Sequence, residues 1–362
     1  MSDILIVGGG IIGLLTAREL SLAGLSVTVV DQGKAGHESS WAGGGIISPL
    51  YPWRYPDAVS ALAKWAQAFY PALVEEINSA TGQDAELVKN GLLILENLEV
   101  EKAAEWAKKW QSCLQVIDNK NIFYLEPALS QSFTEIGNAI WLPDVRQVRN
   151  PRLVKVLKQY LLNQGVTILE QTQVKGFLQH NNEIRGIQSD SGNVSAGKTI
   201  VASGAWSGDL LKDIITIQVE PVKGQMILFK AEPGQISRIV LSQDRYVIPR
   251  QDGRVLVGST LEYTGFEKST TEQARKDLYH EALRIIPALN NAPVEHHWAG
   301  LRPGSPDGVP YICAHPELKN LYINTGHFRN GVVLGPASAR LMADIILDRQ
   351  PILNIEDYQC QR

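Results

Sequence analysis

The pattern of apolar positions is clearest over the first 31 residues. A short apolar run at residues 4–7 (ILIV) precedes a glycine-rich loop at 8–13 (GGGIIG), and apolar residues then recur at helical spacing as far as Gly24. A second apolar run follows at 27–30 (VTVV). This order predicts a strand, a helix and a second strand parallel to the first.

The glycine loop has the spacing of a dinucleotide-binding turn. Gly8 permits the tight turn from strand to helix, Gly10 lets the backbone approach a pyrophosphate, and Gly13 lets the helix pack closely on the strand. The N–H groups at the start of the helix would face the phosphates. Asp31, after the second strand, is placed to accept a hydrogen bond from a ribose hydroxyl. A plain glycine turn is the alternative, but the flanking strands, helix and acid favour a dinucleotide cofactor.

Helices and short strands follow along the chain. The predicted helices cover 58–81, 100–114 and 152–162, and the predicted strands cover 92–95 and 166–169. Residues 173–194 indicate short strands joined by the turn-prone residues 181–182 and 191–193.

The apolar run at 199–203 ends in small residues and leads into Gly204, Trp206 and Ser207. In one interpretation, the small residues bring this backbone against a flat ligand such as the cofactor. In the other, this is a plain turn from strand to helix with Ser207 as the helix cap. The local sequence leaves both open.

Residues 221–298 alternate between apolar and polar positions and predict a mostly antiparallel sheet. Asp252 and Gly253 indicate a two-residue hairpin turn within it. A last helix is predicted at 336–347, after the glycine-rich segment 326–335. As at the amino terminus, a glycine-rich loop that leads into a helix indicates an anion-binding site.

Composition narrows the class of protein. A chain of 362 residues favours two domains, and a net charge of −4 with scattered basic residues argues against nucleic-acid binding. Neither a leader nor a membrane-spanning segment is indicated, so a cytoplasmic location is expected. Cys113, Cys313 and Cys360 are far apart, and the histidines lack ligand spacing, so neither a disulfide nor a metal site is expected.

Five ordered motifs resemble those of the D-amino-acid oxidase family of flavoproteins, and most closely its glycine oxidase branch, the type associated with thiamine biosynthesis. They are residues 8–13 (GGGIIG), 38–45 (ESSWAGGG), 221–225 (PVKGQ), 298–304 (WAGLRPG) and 326–331 (GHFRNG). The resemblance spans nearly the whole chain, and five motifs in order are far more specific than any one of them.

The resemblance implies an α/β fold, α+β overall. A Rossmann-like FAD-binding domain would be built from the discontinuous segments 1–84, 144–220 and 298–362. A substrate-binding domain with a large, mostly antiparallel sheet would comprise 85–143 and 221–297. FAD would be noncovalent, because no cysteine lies near Gly300, where related monomeric sarcosine oxidases tether the flavin.

The resemblance and the motifs together assign the cofactor contacts. The expected FAD-binding residues are Gly8, Gly10, Ile11, Ile12, Gly13, Asp31, Gln32, Ser39, Ser40, Gly44, Gly45, Ile46, Val174, Gly204, His327, Phe328, Arg329, Asn330, Gly331, Val332 and Val333.

The candidate substrate site is built around Arg302, because a planar guanidinium matches the carboxylate of an amino acid. Tyr246 would donate to the same carboxylate and Arg329 would support it, while Ile46 and Leu261 are expected pocket residues. The implied reaction is oxidation of glycine, sarcosine or a small D-amino acid by O₂, in a homo-oligomer of the family's tetrameric type. The alternatives are a D-amino-acid dehydrogenase that reduces a quinone and a non-catalytic flavin-binding scaffold.

Overall fold

The predicted βαβ unit lies at the centre of a large sheet. The computed structural model describes residues 1–95, 99–135 and 137–361. Strand β1 (Ser2–Val7) pairs in parallel with β2 (Val27–Val30), and α1 (Ile11–Leu22) connects them. The apolar residues of both strands are buried, as expected of a parallel sheet covered on both faces.

The other elements follow in chain order. The further helices are α2 (Ser39–Ala42), α3 (Asp57–Thr81), α4 (Val100–Lys109), α5 (Asn119–Leu125), α6 (Asn150–Asn163), α7 (Ser207–Leu211), α8 (Glu272–Ile285) and α9 (Gly331–Ile346). The further strands are β3 (Val88–Lys89), β4 (Leu92–Ile94), β5 (Gln115–Asp118), β6 (Asn138–Leu142), β7 (Arg146–Gln147), β8 (Thr167–Leu169), β9 (Val174–His180), β10 (Glu183–Ser189), β11 (Gly192–Val201), β12 (Glu220–Lys230), β13 (Ile239–Ser242), β14 (Arg245–Pro249), β15 (Arg254–Gly258), β16 (Val294–Gly304), β17 (Tyr311–Ala314) and β18 (Leu321–Thr325).

The first sheet has the strand order β17-β18-β11-β1-β2-β8 and is parallel from β18 to β8. Helices α1, α3, α6 and α9 pack on one face around a single apolar core. The antiparallel strands β9 and β10 extend from β11 and cover Leu5, Val7 and Val30 on the other face. The carboxyl ends of the parallel strands therefore stay free to form a ligand site.

The second sheet has the order β16-β12-β15-β14-β13-β4-β6-β5 and is antiparallel except where β13 pairs with β4. One face packs against α8 in an apolar core, and the opposite face carries Met226, Tyr246 and Ile248. The pairing of β12 with β16 places Val222 opposite Arg302 and Gly224 opposite Gly300. Two motifs that lie far apart in sequence thus become neighbours.

The α/β fold class with a large, mostly antiparallel second sheet is confirmed. The two-domain division stays a prediction; β16 runs across its boundary at residue 298, and residues 96–98, 136 and 362 of the predicted ranges lie outside the described residues. Most predicted elements are present within a few residues. Helix α4 is the clearest difference, because it ends at Lys109 and Gln111 then adopts a left-handed conformation with φ of 49°.

The hairpin at Asp252-Gly253 has a longer loop than predicted. Arg250 donates its N–H to the carbonyl of Arg254 at 2.7 Å, and Gly253 donates to the carbonyl of Arg250 at 3.1 Å. Gly253 has φ of +83°, which closes a turn with a three-residue loop between β14 and β15. The antiparallel pairing was right, and the turn type was wrong.

The expectation that no disulfide forms was wrong. Cys313 on β17 is paired with Cys360, with their Cα atoms 6.5 Å apart and a sequence separation of 47 residues. The chain after α9 returns to the sheet, where Cys360 packs against the apolar cluster around β17 and β18. Sequence separation therefore gave no indication of the pairing, whereas Cys113 is exposed and free as expected.

The last helix begins at Gly331, five residues before the predicted start at Pro336. Proline has no N–H to donate, so it leaves the carbonyl four residues earlier, at Val332, without its helical partner. The buried hydroxyl of Tyr70 on α3 donates to this carbonyl instead. This hydrogen bond from another helix explains how α9 accommodates a proline in its second turn.

We expect Tyr70→Phe to lower the free energy of unfolding by about 1–3 kcal/mol, because it leaves a buried carbonyl unsatisfied. Urea denaturation monitored by circular dichroism measures this change. The matched control is Tyr322→Phe on β18, a half-buried tyrosine with no hydroxyl hydrogen bond seen within the described part of the chain. Equal stability of the two variants would contradict the role given to Tyr70.

Candidate active site

A cavity of about 530 Å³ runs between the two sheets. At one end it is lined by Val7, Val30 and Ala202, which lie at the carboxyl ends of β1, β2 and β11. At the other end it reaches Met226 and Tyr246 on the second sheet. The volume and position are those of a cofactor and small-molecule site at the edge of a parallel sheet.

The glycine loop forms a close turn at the end of β1. Gly8 has φ of +111°, and a Cβ atom there would lie 2.3 Å from the carbonyl oxygen of Ala202. A Cβ atom on Gly13 would lie 1.9 Å from the carbonyl oxygen of Gly8. Both positions therefore require glycine, and Gly13 serves the packing of α1 on β1 as predicted.

The start of α1 faces the cavity without a side-chain cap. The N–H of Ile11 donates to Oγ of Ser40 at 2.8 Å. Asp31 accepts from the N–H of Gly9 through Oδ2 and from the N–H of Gly33 through Oδ1, both at 2.8 Å. Asp31 thus fixes the shape of the loop, and each of its oxygens keeps a second lone pair for a ribose hydroxyl.

The amino terminus of a second helix also lines the cavity. Helix α9 begins at Gly331 with no side-chain cap, and Gly331, Val332 and Val333 all line the cavity. His327 precedes it, and its Nε2 atom lies 2.9 Å from Oγ of Ser338. Burial lowers the pKa of His327 to about 3, so the ring is neutral at physiological pH. The cavity therefore has backbone N–H donors of two helices, a favourable environment for anionic groups.

Gly204 lies on the cavity wall, after β11, as the cofactor interpretation predicted. Ser207 is not a helix cap: its hydroxyl lies 3.1 Å from that of Ser203 and 2.7 Å from that of Thr325. The segment therefore lies against the cavity and is also tied to β18.

Arg302 projects from β16 to the end of the cavity beside the second sheet. Nη2 donates to Oγ of Ser259 at 2.7 Å, and Nη1 donates to the carbonyls of Lys223 and Thr260, each at 3.3 Å. A Cβ atom on Gly224 would lie 2.2 Å from Nη2, so the PVKGQ motif needs glycine where the guanidinium crosses β12. Burial lowers the pKa of Arg302, while Tyr246 opposes this effect.

No carboxylate forms a salt bridge with Arg302 among the residues that the structure describes. Tyr246 and Arg329 line the same end of the cavity, and Ile46 and Met226 supply apolar walls. The guanidinium of Arg302 is thus a partly buried cation, and its hydrogen-bond acceptors, two carbonyls and a hydroxyl, are all neutral. Such a group favours binding of an anion from outside the chain.

Almost all sequence-predicted site residues meet at this one cavity. Those that line it are Gly8, Gly10, Ile11, Ile12, Asp31, Gln32, Ser39, Ser40, Gly44, Gly45, Ile46, Val174, Gly204, Tyr246, Arg302, His327, Phe328, Arg329, Asn330, Gly331, Val332 and Val333.

Two predicted site residues do not line the cavity. Gly13 acts through helix packing, as described above. Leu261 is 47% exposed and lies outside the cavity wall. Its neighbours are held by hydrogen bonds to Arg302 and Gln225, which involve Ser259, Thr260 and Glu262. The side chain of Leu261 therefore lies on the outer surface.

The sequence did not indicate Arg250, which is buried behind the cavity wall. Its guanidinium donates to the carbonyls of Gly44 at 2.8 Å and Val148 at 3.0 Å, and to Oε1 of Gln147. The N–H of Val148 in turn donates to the carbonyl of Gly45 at 2.8 Å. Burial lowers the pKa of Arg250 to about 10. The available sequence signal for Arg250 was the Pro249-Arg250 pair at the end of a strand. Its proximity to residues 44–45 arises only in the tertiary structure.

Other cavity residues were also missed, including Glu38, Thr172, Lys175, Trp206, Lys212, Met226 and Ser259. No group of side chains suited to hold a metal ion is found within residues 1–95, 99–135 and 137–361. In the same ranges, no helix combines the length and apolar character needed to cross a membrane.

The fold and the position of the cavity are typical of nucleotide-dependent enzymes. A model of the family "FAD dependent oxidoreductase" matches residues 3–345. The chain belongs to this family.

Individual relatives agree with this assignment. The chain is 46% identical to a glycine oxidase of Pseudomonas aeruginosa, over 98% of this chain and 97% of the relative. It is 32% identical to the bifunctional protein ThiO/ThiG of Synechocystis sp., over 100% of this chain and 54% of that protein. The crystal structure of a glycine oxidase from Geobacillus kaustophilus superposes with a TM-score of 0.94 at 27% identity, covering 100% of this chain and 98% of that one.

The residues present fit FAD. Two helix amino termini line the cavity: α1, where the N–H of Ile11 donates to Oγ of Ser40, and α9, which begins at Gly331 with no side-chain cap. The close turn at Gly8 and the carboxylate of Asp31 fit the pyrophosphate and ribose of the nucleotide part of FAD.

We expect Gly10→Val to weaken FAD binding by roughly tenfold or more, because overpacking a close site costs about 1–3 kcal/mol. A Cβ atom at Gly10 already lies 3.2 Å from Oγ of Ser40, which is held by Ile11. Reconstitution of the apoprotein with FAD, followed by flavin fluorescence, measures the dissociation constant. Gly176→Val on β9 is the control, because the nearest atom to its Cβ lies at 3.8 Å. A Gly10→Val protein that binds FAD as the wild type does would refute the close-approach role.

Proposed function

We propose that this protein is an FAD-dependent amino-acid oxidase whose main substrate is glycine. The reaction converts glycine, O₂ and water into glyoxylate, ammonia and hydrogen peroxide. The observation that carries the proposal is Arg302, a cavity-lining guanidinium without a carboxylate partner among the described residues. The 46% identity to a glycine oxidase over nearly the whole chain supports the choice of substrate.

Arg302 suits the carboxylate of an amino acid because its planar fork can donate two parallel hydrogen bonds. Its Nη1 and Nη2 atoms are positioned by Lys223, Thr260 and Ser259, so little side-chain entropy remains to be lost when the substrate binds. Tyr246 adds a phenolic donor to the same end of the cavity, and Arg329 adds positive charge. We propose these three residues as the substrate-binding set.

The walls of this end favour a small substrate. Ile46, Leu50 and Met226 are buried apolar residues that line the cavity beside Tyr246. They leave a polar anchor for the carboxylate and an apolar environment for the Cα atom. Sarcosine and small D-amino acids such as D-alanine are the proposed secondary substrates, since each has the same carboxylate and one more methyl group.

The protein contributes orientation to the reaction. FAD, when bound, supplies the acceptor for the hydride of the substrate Cα–H bond. The amine must enter the site neutral, because its lone pair drives hydride loss. Arg302 and Tyr246 hold the carboxylate, and fixing one end of a small molecule in this way contributes several kcal/mol to catalysis. Apolar walls exclude water from the reacting carbon.

The similarity to ThiO/ThiG supports a role of the product in thiazole formation for thiamine biosynthesis. The alternative, a D-amino-acid dehydrogenase that reduces a quinone, makes no peroxide and is not favoured by the relatives. We further propose a cytoplasmic, homo-oligomeric enzyme, and a tetramer remains the prediction from the family resemblance.

Steady-state peroxide formation tests the proposed function. Purified holoprotein in air is mixed separately with glycine, sarcosine, D-alanine and D-glutamate, and peroxide is measured by a peroxidase-coupled assay. We expect the highest kcat/KM for glycine and much lower values for D-glutamate. Flavin turnover with a quinone but no peroxide in air would instead establish the dehydrogenase.

We expect Arg302→Ala to keep FAD but to raise the KM for glycine roughly 100-fold, because loss of the charge-assisted hydrogen bonds costs about 3 kcal/mol. Peroxide kinetics give KM, and the visible spectrum gives the FAD content. The control is Arg185→Ala, a 57% exposed arginine on β10. An Arg302→Ala enzyme with wild-type KM would remove Arg302 from the substrate site.

A further inference from the structure

The segment of residues 259–271, here called the strap, follows β15 and runs beside β12 before α8 begins. It is paired to β12 by two backbone hydrogen bonds of 2.9 Å between Lys223 and Glu262. The N–H of Gln225 also donates to Oγ1 of Thr260 at 2.8 Å. The strap therefore continues the pairing of β15 with β12, along the part of β12 that carries the PVKGQ motif.

Arg302 depends on the strap for its position. Two of its three hydrogen-bond acceptors, Oγ of Ser259 at 2.7 Å and the carbonyl of Thr260 at 3.3 Å, belong to the strap. The third, the carbonyl of Lys223, is also bonded to the strap through Glu262. A shift of the strap along β12 would therefore move two of the three acceptors relative to the guanidinium.

The side chain of Glu262 is the centre of the contacts that fix the strap. Its Oε1 atom accepts from Nε2 of Gln225 at 2.9 Å and from Oγ1 of Thr260 at 2.5 Å. Its Oε2 atom lies 3.1 Å from Nζ of Lys223. The side chain of Lys223 is only 2% exposed and that of Gln225 is fully buried, so water replaces these partners poorly. Burial opposes ionisation of Glu262, but the hydrogen bonds from Thr260, Gln225 and Lys223 hold its pKa below the usual value.

We propose that Glu262 is a positioning residue for binding of the substrate carboxylate. By joining Lys223 and Gln225 to Thr260, it fixes the acceptors that orient Arg302. This inference rests on the proposed function, in which Arg302 binds the carboxylate. Glu262 itself lies outside the cavity wall and does not contact the substrate.

A second carboxylate on the same lysine provides a matched control. Glu267 accepts from Nζ of Lys223 at 2.8 Å and from the N–H of Ser269 at 2.5 Å. Its side chain is 48% exposed, and its bonds lead away from Thr260 and Arg302. Glu267→Gln therefore removes the same charge from the same lysine without disturbing the acceptors of Arg302.

The test compares Glu262→Gln with Glu267→Gln. In Glu262→Gln, the amide nitrogen must face a donor, because both carboxylate oxygens accept hydrogen bonds. We expect the KM for glycine and the dissociation constant of glycolate to rise about tenfold, corresponding to roughly 1.4 kcal/mol of lost binding free energy. Glycolate has the substrate carboxylate with a hydroxyl in place of the amine, and its binding is followed by perturbation of the flavin absorption band. We expect kcat, FAD content and melting temperature to stay near wild type, and Glu267→Gln to leave all these values unchanged.

A double-mutant cycle with Arg302→Lys shows whether Glu262 acts through the arginine. We expect Glu262→Gln to weaken glycolate binding less than twofold in the Arg302→Lys background. An equal tenfold effect in both backgrounds, or equal effects of the two glutamine variants, would overturn the inference. A Glu262→Gln protein that loses FAD or melts at a lower temperature would also overturn it, since the role would then be general stability. If wild-type protein neither binds glycolate nor oxidises glycine, the proposed function itself fails.

Discussion

The structure depends on one electrostatic constraint: the guanidinium of Arg302 is held at the cavity wall by neutral oxygen acceptors. Its bonds to Ser259, Thr260 and Lys223 satisfy part of its donor capacity but provide no negative charge. An anion of the right shape then gains strong charge-assisted hydrogen bonds. In the proposed function, this preorganised charge binds a small amino acid by its carboxylate.

The fold brings this charge to the cofactor by joining two different sheets. The parallel sheet supplies the glycine turn and the amino terminus of α1, whereas the antiparallel sheet supplies Tyr246 and Arg302. Arg250 connects the two, because it extends from the end of β14 to the carbonyl of Gly44. The strap supplies two hydrogen-bond acceptors of Arg302, and its Phe266 stacks on Trp206, another cavity residue, with ring centroids 5.7 Å apart. Substrate and cofactor residues are thereby held in one fixed arrangement.

Features carried by contiguous sequence could be predicted, because their physical cause is local. The turn at Gly8, the uncapped start of α1 and the segment 326–331 each have their signal within a few residues. Features that depend on the pairing of strands far apart in sequence could not be predicted. The space for the Arg302 guanidinium over Gly224 exists only because β12 pairs with β16, and the outward position of Leu261 follows from the hydrogen bonds of the strap. The pairing of Cys313 with Cys360 likewise requires the return of the chain after α9.

Anaerobic mixing of the holoprotein with glycine most directly tests whether Arg302 binds the substrate for flavin reduction. The visible absorption band of the flavin is followed during mixing. We expect glycine to bleach the band, Arg302→Ala to need a much higher glycine concentration for the same effect, and air to restore the band with release of peroxide. Failure of glycine to bleach the flavin, in a protein that dithionite reduces normally, would contradict this expectation.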